Sequence, residues 1–190
     1  SEPLALRANQ CTLMSACRQP AHLTEAHFTS QRSYMALSSL LDTDRKWMQK
    51  AFREAERAFD ADEVPVGAII VHDGQVVGRG HNLVEQFGDP TAHAEIMAVT
   101  AACDTIERKF LHDCTLYVTL EPCPMCAGAL VHARLKRLVF GAYDEKAGAV
   151  DTLYRIGQDD RLNHQIEVVG GLEADRASSM LQSFFREKRG

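Results

Sequence analysis

The chain lacks any apolar run of membrane-spanning length. Its densest run, Ala68-Ile69-Ile70-Val71, is strand-sized and stops at His72-Asp73, where a spanning helix needs about 18 to 20 apolar residues. That argues against an integral helical membrane protein and predicts no membrane partner. The start, Ser1-Glu2-Pro3-Leu4-Ala5-Leu6-Arg7, lacks the cationic segment followed by an apolar stretch that marks a secretory signal, so a cytoplasmic protein is expected. Internal repeats and low-complexity tracts are missing as well, and the overall composition sets aside collagen-like, coiled-coil and wholly disordered chains. Positive charge is in deficit. A formal net charge of -5 repels phosphate at long range, so a nucleic-acid partner has to be met by a local basic patch.

What is present fits one soluble domain of ordinary size: 190 residues, 45% hydrophobic and 25% charged. Six cysteines would suit a disulfide framework in a small secreted chain. Here they are scattered at positions 11, 17, 103, 114, 123 and 126, which favours thiols or metal ligands.

Residues 1–42 show neither a sustained helical nor an alternating pattern and read as an N-terminal extension, disordered or non-native, with Met14 and Met35 as candidate internal starts. The structured domain is expected over 43–190. Thr43 or Asp44 is placed to cap a first helix whose apolar positions Met48, Ala51, Phe52, Ala55 and Phe59 recur at helical spacing. Val64 to Val71 and Val76 to Gly80 predict two antiparallel strands joined through Asp73-Gly74. After a loop through Phe87-Gly88-Asp89-Pro90, Ala94 to Cys103 is apolar on nearly every side, as a buried helix would be. Thr115 to Leu120 predicts a strand, Pro124 to Arg134 a helix that starts on proline, and Arg137 to Ala142 a further strand, together a parallel crossover. A short strand over Gln165 to Val169 and a final amphipathic helix through Ala177, Met180, Leu181, Phe184 and Phe185 complete an α/β sandwich around a mixed five-stranded sheet.

Two segments carry chemistry: Thr91-Ala92-His93-Ala94-Glu95 and Leu120-Glu121-Pro122-Cys123-Pro124-Met125-Cys126. Each stands where a loop or strand end meets a helix start, and there the positive end of the helix dipole favours the metal-binding thiolate. Cys123 and Cys126, on one helical turn, can ligate a single ion with His93 as third ligand. Three protein ligands leave a fourth position for water, the pattern of a catalytic zinc rather than a closed structural one. Glu95, two residues past His93, can reach that water without being a ligand and is expected to shuttle protons. Alone, Glu95 would read as a charge that stabilises a helix start, and Cys123-Pro124-Met125-Cys126 as a redox pair. Redox use leaves His93 and Glu95 without a role.

His-x-Glu followed by Pro-Cys-x-x-Cys resembles the zinc-dependent nucleobase deaminases. Glu63-Val64-Pro65-Val66-Gly67-Ala68, Asp89 through Ala98, Leu116 through Gly128 and Val139-Phe140-Gly141-Ala142 are most similar to the bacterial tRNA adenosine deaminases within that group, over about residues 44–188. The resemblance implies a three-layer α/β/α sandwich of the cytidine deaminase kind, with one zinc per subunit held by His93, Cys123 and Cys126 and with Glu95 as the catalytic acid-base. It also implies substrate contacts from Asn82, from Val66 in the pocket wall, from the backbone N–H of Ala94, from Asp144, and from Phe185 and Arg186 near the C-terminus. Tyr143 stands where some relatives carry arginine, so a phosphate contact there is not carried over. By resemblance the partners are a tRNA anticodon stem-loop and a second copy of the chain, and the reaction is deamination of the wobble adenosine to inosine. Deamination of free guanine, cytosine or their nucleosides is the alternative, since the zinc chemistry is shared. A non-catalytic zinc or RNA-binding scaffold is the third reading, which an intact Glu95 disfavours. Arg134, Lys136 and Arg137 are expected to join the C-terminal residues in the local basic patch.

Overall fold

Five strands form one sheet in the computed structural model, which describes residues 25–189 and their side chains from residue 38 onward. The chain divides into Ser1–Leu37 and Ser38–Gly190, and the sheet belongs to the second unit. Its elements are α1 (Glu25–Asp60), β1 (Gly67–His72), β2 (Gln75–His81), α2 (Val84–Phe87), α3 (Ala94–Thr105), β3 (Thr115–Leu120), α4 (Pro124–His132), β4 (Arg137–Ala142), β5 (Glu167–Val169) and α5 (Ala174–Glu187). The strand order is β2-β1-β3-β4-β5. β1 pairs antiparallel with β2 and β3, whereas β3, β4 and β5 run parallel, so the sheet is mixed as expected.

Alternation along each strand produces the layers. Ala68 and Ile70 of β1, Leu116 and Val118 of β3, and Leu138 and Phe140 of β4 face a core shared with Ala98 of α3 and Leu130 of α4. Ile69, Tyr117 and Val139, the residues between them, face the other side, where Trp47, Met48 and Phe52 of α1 and Ala177 of α5 cover the sheet. Helices on both faces make the three-layer sandwich. Gly78 and Gly80 of β2 let α3 lie close, since a Cβ on either would overlap the α3 backbone at Ala98 or Ala94. At the hairpin, Asp73 and Gly74 both have positive φ, 47° and 70°, the two-residue turn geometry that Asp-Gly favours. No helix among the described residues is long and apolar enough to cross a membrane.

One expected boundary is corrected. α1 begins at Glu25, not at a cap on Thr43 or Asp44, so residues 25–42, expected to be irregular, are helical. Thr43 Oγ1 instead donates back to Ser39 O at 2.9 Å, and Asp44 is buried at 1% exposure. Neither Gly nor Pro interrupts 25–60, so the helix propagates at one hydrogen bond per residue from its packed half even without an apolar stripe. The expectation for residues 1–24 lies outside the described residues. The turn of helix α2 also goes beyond the loop expected there.

Candidate active site

Parallel strands β3 and β4 end together, Leu120 beside Ala142, and the chain leaving β3 turns at once into α4. Cys123 is the N-cap of α4 in extended conformation, Pro124 takes the first helical position, and Cys126 is buried on the first turn. His93 is the N-cap of α3, also extended, with Glu95 in that helix's first turn. Two helix N-termini thus converge at the C-terminal edge of the parallel strands. The ligand atoms of His93, Cys123 and Cys126 lie within 4.8 Å of one another. His93 Nδ1 stands 3.6 Å from Cys123 Sγ and 3.5 Å from Cys126 Sγ.

The electrostatics match a cation site. The Cys123 thiol is pulled down to about 4, first by hydrogen bonding from Cys126 and then by His93, against burial, which raises it. Cys126, the partner holding the proton, is pushed up. The His93 imidazole is raised, foremost by its hydrogen bond with Cys123. Glu95 is buried, which raises its carboxyl above the usual range.

A cavity of about 310 Å³ opens over these groups, with His93, Glu95 and Cys123 in its floor and Val66, Asn82 and Asp144 in its walls. The structure therefore gathers seven of the ten residues singled out in the sequence: the metal set with buried Cys126 behind it, Glu95, and three of the expected contacts. Ala94 is buried at the first position of α3, beside His93, where a backbone N–H has no partner within its own helix. Phe185 and Arg186 stand apart from the cavity lining, on α5. Phe184 is 6% exposed and packs edge-on against Phe59 at 5.7 Å, while Phe185 is 45% exposed.

The expected basic patch is not one surface. Arg137 opens β4 beside Thr115, the opposite end of the strands from Cys123, and its charge is taken up by Asp44 and Glu167. The end of α5 lies elsewhere: Lys188 reaches Asp62, one residue before the cavity-lining Glu63.

Three cavity-lining carboxylates, Glu63, Glu85 and Glu121, had no role assigned from the sequence. Glu63 is buried, accepts from Asn82 Nδ2 at 3.0 Å and from the Gln86 N–H at 2.8 Å. Glu121, also buried, accepts from the backbone of residues 144 and 150–152. Burial raises the Glu121 pKa, but the Thr152 hydroxyl and these N–H groups outweigh it and hold the carboxyl below its ordinary value. The only available signal was a charged residue at the margin of an apolar strand.

Residues 42–189 match the family model for MafB19-like deaminases. The chain is 46% identical over 146 residues to a tRNA-specific adenosine deaminase of Bacillus subtilis, covering 77% of this chain and 91% of that one. A solved structure from studies of A-to-I editing by tRNA:A34 deaminases at the wobble position of transfer RNA superposes with a TM-score of 0.67 at 41% identity, covering 70% of this chain and 96% of its own. A guanine deaminase from Nitrosomonas europaea gives a TM-score of 0.63 at 25% identity, covering 72% and 81%. With a sandwich of this kind and a His-Cys-Cys group beside a buried glutamate, the fold and site define a deaminase. The chain belongs to the MafB19-like deaminase family, among relatives that are tRNA-specific adenosine deaminases.

Proposed function

We propose that the protein converts adenosine to inosine at the wobble position of a tRNA anticodon loop. The observation that carries this reading is the placing of Glu95 against the His93, Cys123 and Cys126 donor set within a base-sized cavity, in a chain 46% identical to a tRNA-specific adenosine deaminase along 91% of that protein.

The donor set fits zinc: one imidazole and two sulfurs, one of them readily a thiolate, from two helix starts. Zinc held by His93, Cys123 and Cys126 would supply a water of pKa about 7 as the nucleophile. Glu95 takes one proton from the attacking water and delivers it to N1 of adenine, then takes the remaining proton from the new C6 hydroxyl and passes it to N6 as the C6–N6 bond breaks, so adenosine and water give inosine and ammonia. Val66 and Asn82 wall the cavity in which the base is held, and burial of Glu95 keeps bulk water from the proton it carries.

Asp144, Phe185 and Arg186 contact the RNA around the flipped nucleotide on this reading. Support comes from Asp144 at the cavity wall and from Lys188, just past α5, reaching Asp62, the residue before the cavity-lining Glu63. A homodimer is carried by the resemblance and supported by Ile96, Met97 and Met125, which α3 and α4 leave only half-buried. A tRNA substrate agrees with a cytoplasmic location.

The test is inosine and ammonia release from an anticodon stem-loop with adenosine at the wobble position, beside free adenosine, adenine, cytosine and guanine, at two salt concentrations. Stem-loop turnover that weakens as salt rises is the expected result. Turnover of a free base or nucleoside alone would overturn the RNA assignment.

A further inference from the structure

Glu121 is a buried carboxylate that the proposed chemistry does not use. It stands at the turn between β3 and the ligand Cys123, and its own N–H continues the sheet by donating to Ala142 O at 2.9 Å. Its side chain leaves the sheet and enters a ring of backbone donors. Oε1 accepts from the N–H groups of Val150, Asp151 and Thr152 at 3.2, 2.8 and 2.9 Å, and Oε2 accepts from the Asp144 N–H at 3.2 Å and from the Thr152 hydroxyl. The segment closes on itself around that carboxylate: Gly148 N–H donates to Asp144 O at 2.8 Å, and Ala149 N–H to Pro122 O at 2.9 Å. Gly148 has to be glycine for this, since a Cβ there would overlap Oε2 and Cδ of Glu121.

The segment so held contributes to the lining of the active-site cavity. Asp144 and Ala147 line it, and Asp144 Oδ1 accepts from the N–H groups of Lys146 and Ala147 at 2.9 and 3.2 Å, which fixes the carboxylate on the turn. One carboxylate therefore joins the strand end that carries the metal ligand to the turn that presents Asp144.

We infer that Glu121 is a positioning residue for substrate selection: it sets residues 144–152 against the cavity so that Asp144 meets the nucleotide beside the target adenosine. The inference rests on the tRNA reading above. Because Glu121 acts through Asp144 and not on the reacting atoms, its loss separates binding and neighbour preference from the chemical step.

The experiment uses the full chain with its metal and the variant Glu121→Gln, which keeps an acceptor for residues 150–152 but sets an amide N–H₂ against the Asp144 N–H. Metal content and thermal melting are measured first. kcat and KM are then measured on stem-loops with wobble adenosine and each of the four nucleotides on either side. The expected result is parental metal content, kcat little changed, KM raised about tenfold, and the spread of kcat/KM among neighbours narrowed by a similar factor. Thr152→Val, which removes only the hydroxyl donor, is expected to move KM and spread in the same direction by less, and it serves where Glu121→Gln does not fold. Parental KM and neighbour spread in the folded variants would overturn the inference, as would a fall in kcat with KM unchanged. Parent protein that does not turn over any stem-loop would overturn the tRNA reading itself and this inference with it.

Discussion

Asn82 turns its amide nitrogen toward Glu63: Nδ2 donates to Oε2 at 3.0 Å with both side chains buried. A carboxylate cannot donate, so the bond fixes which end of the amide faces the cavity. The other Glu63 oxygen takes the Gln86 N–H and ties α2 to the same point. Glu63→Gln offers either an acceptor or a donor and frees the amide to rotate. We expect kcat/KM on the stem-loop to fall about tenfold with metal content unchanged; parental kcat/KM would show that the Asn82 orientation is set elsewhere.

Glu95 tests the chemistry itself. Glu95→Gln preserves shape and leaves the donor set of His93, Cys123 and Cys126 intact. Metal content and RNA affinity should match the parent while single-turnover deamination slows by roughly 10² to 10⁴, the usual worth of a positioned acid-base. Loss of metal in this variant would make Glu95 a ligand and remove the proton-transfer role.

Cys123→Ser withdraws a sulfur ligand at the N-cap of α4. Metal should be released, and the melting temperature should drop to that of the chelator-treated parent, because binding free energy from ligands on two helices is folding free energy. Retention of a full complement of metal would refute the three-ligand site.

Far from the cavity, Asp44 takes both terminal nitrogens of Arg137 at 2.8 Å and the Tyr117 hydroxyl at 2.8 Å, which joins α1 to the starts of β3 and β4. Asp44→Ala leaves the largely buried guanidinium with only the exposed Glu167 carboxylate at Nε and both terminal nitrogens unpaired by Asp44. Denaturant unfolding should show a loss of about 3 to 5 kcal/mol, with activity of the remaining folded protein intact. A loss below about 1 kcal/mol would place the pair in the screened, surface class.

Cys114 provides a pH prediction. Burial, and the neighbouring Asp113 charge after it, push its thiol up to about 12. A raised thiol pKa keeps the proton on sulfur below that pH, so at pH 8 the thiolate fraction is about 10⁻⁴ and nucleophilic attack is suppressed. Native protein treated with iodoacetamide between pH 7 and 9, as read by mass spectrometry, should leave Cys114 unlabelled, whereas urea-unfolded protein should be labelled. Equal labelling rates in the two states would contradict this burial.

The parts legible in the sequence were those governed by local rules. β3 and β4 occupy Thr115–Leu120 and Arg137–Ala142, the ranges read from alternation, and α4 begins at Pro124 because proline there loses no hydrogen bond. α1 was misjudged at its start because a helix whose outer half lacks an apolar stripe gives no periodic signal, whatever its backbone does. Phe184 and Phe185 share one run of apolar residues, and only packing against Phe59 separates the core residue from the exposed one.

The sequence by itself determined the chemistry. His93 with Glu95, and Cys123 with Cys126, mark two helix starts by residue type and by spacing within a single turn each, which local geometry alone sets, and the fold then brings the two starts together. The tertiary structure decided which carboxylates serve that site and which cations do not. Glu63 meets Asn82 because β1 pairs antiparallel with β2, and Glu121 meets residues 144–152 because β4 leaves the sheet parallel to β3. Arg137 is carried to the far end of the same strands and neutralised by Asp44, 93 positions earlier in the chain. Hydrogen bonds and ion pairs act over about 3 Å, so their partners are set by where the backbone returns and not by distance along the sequence.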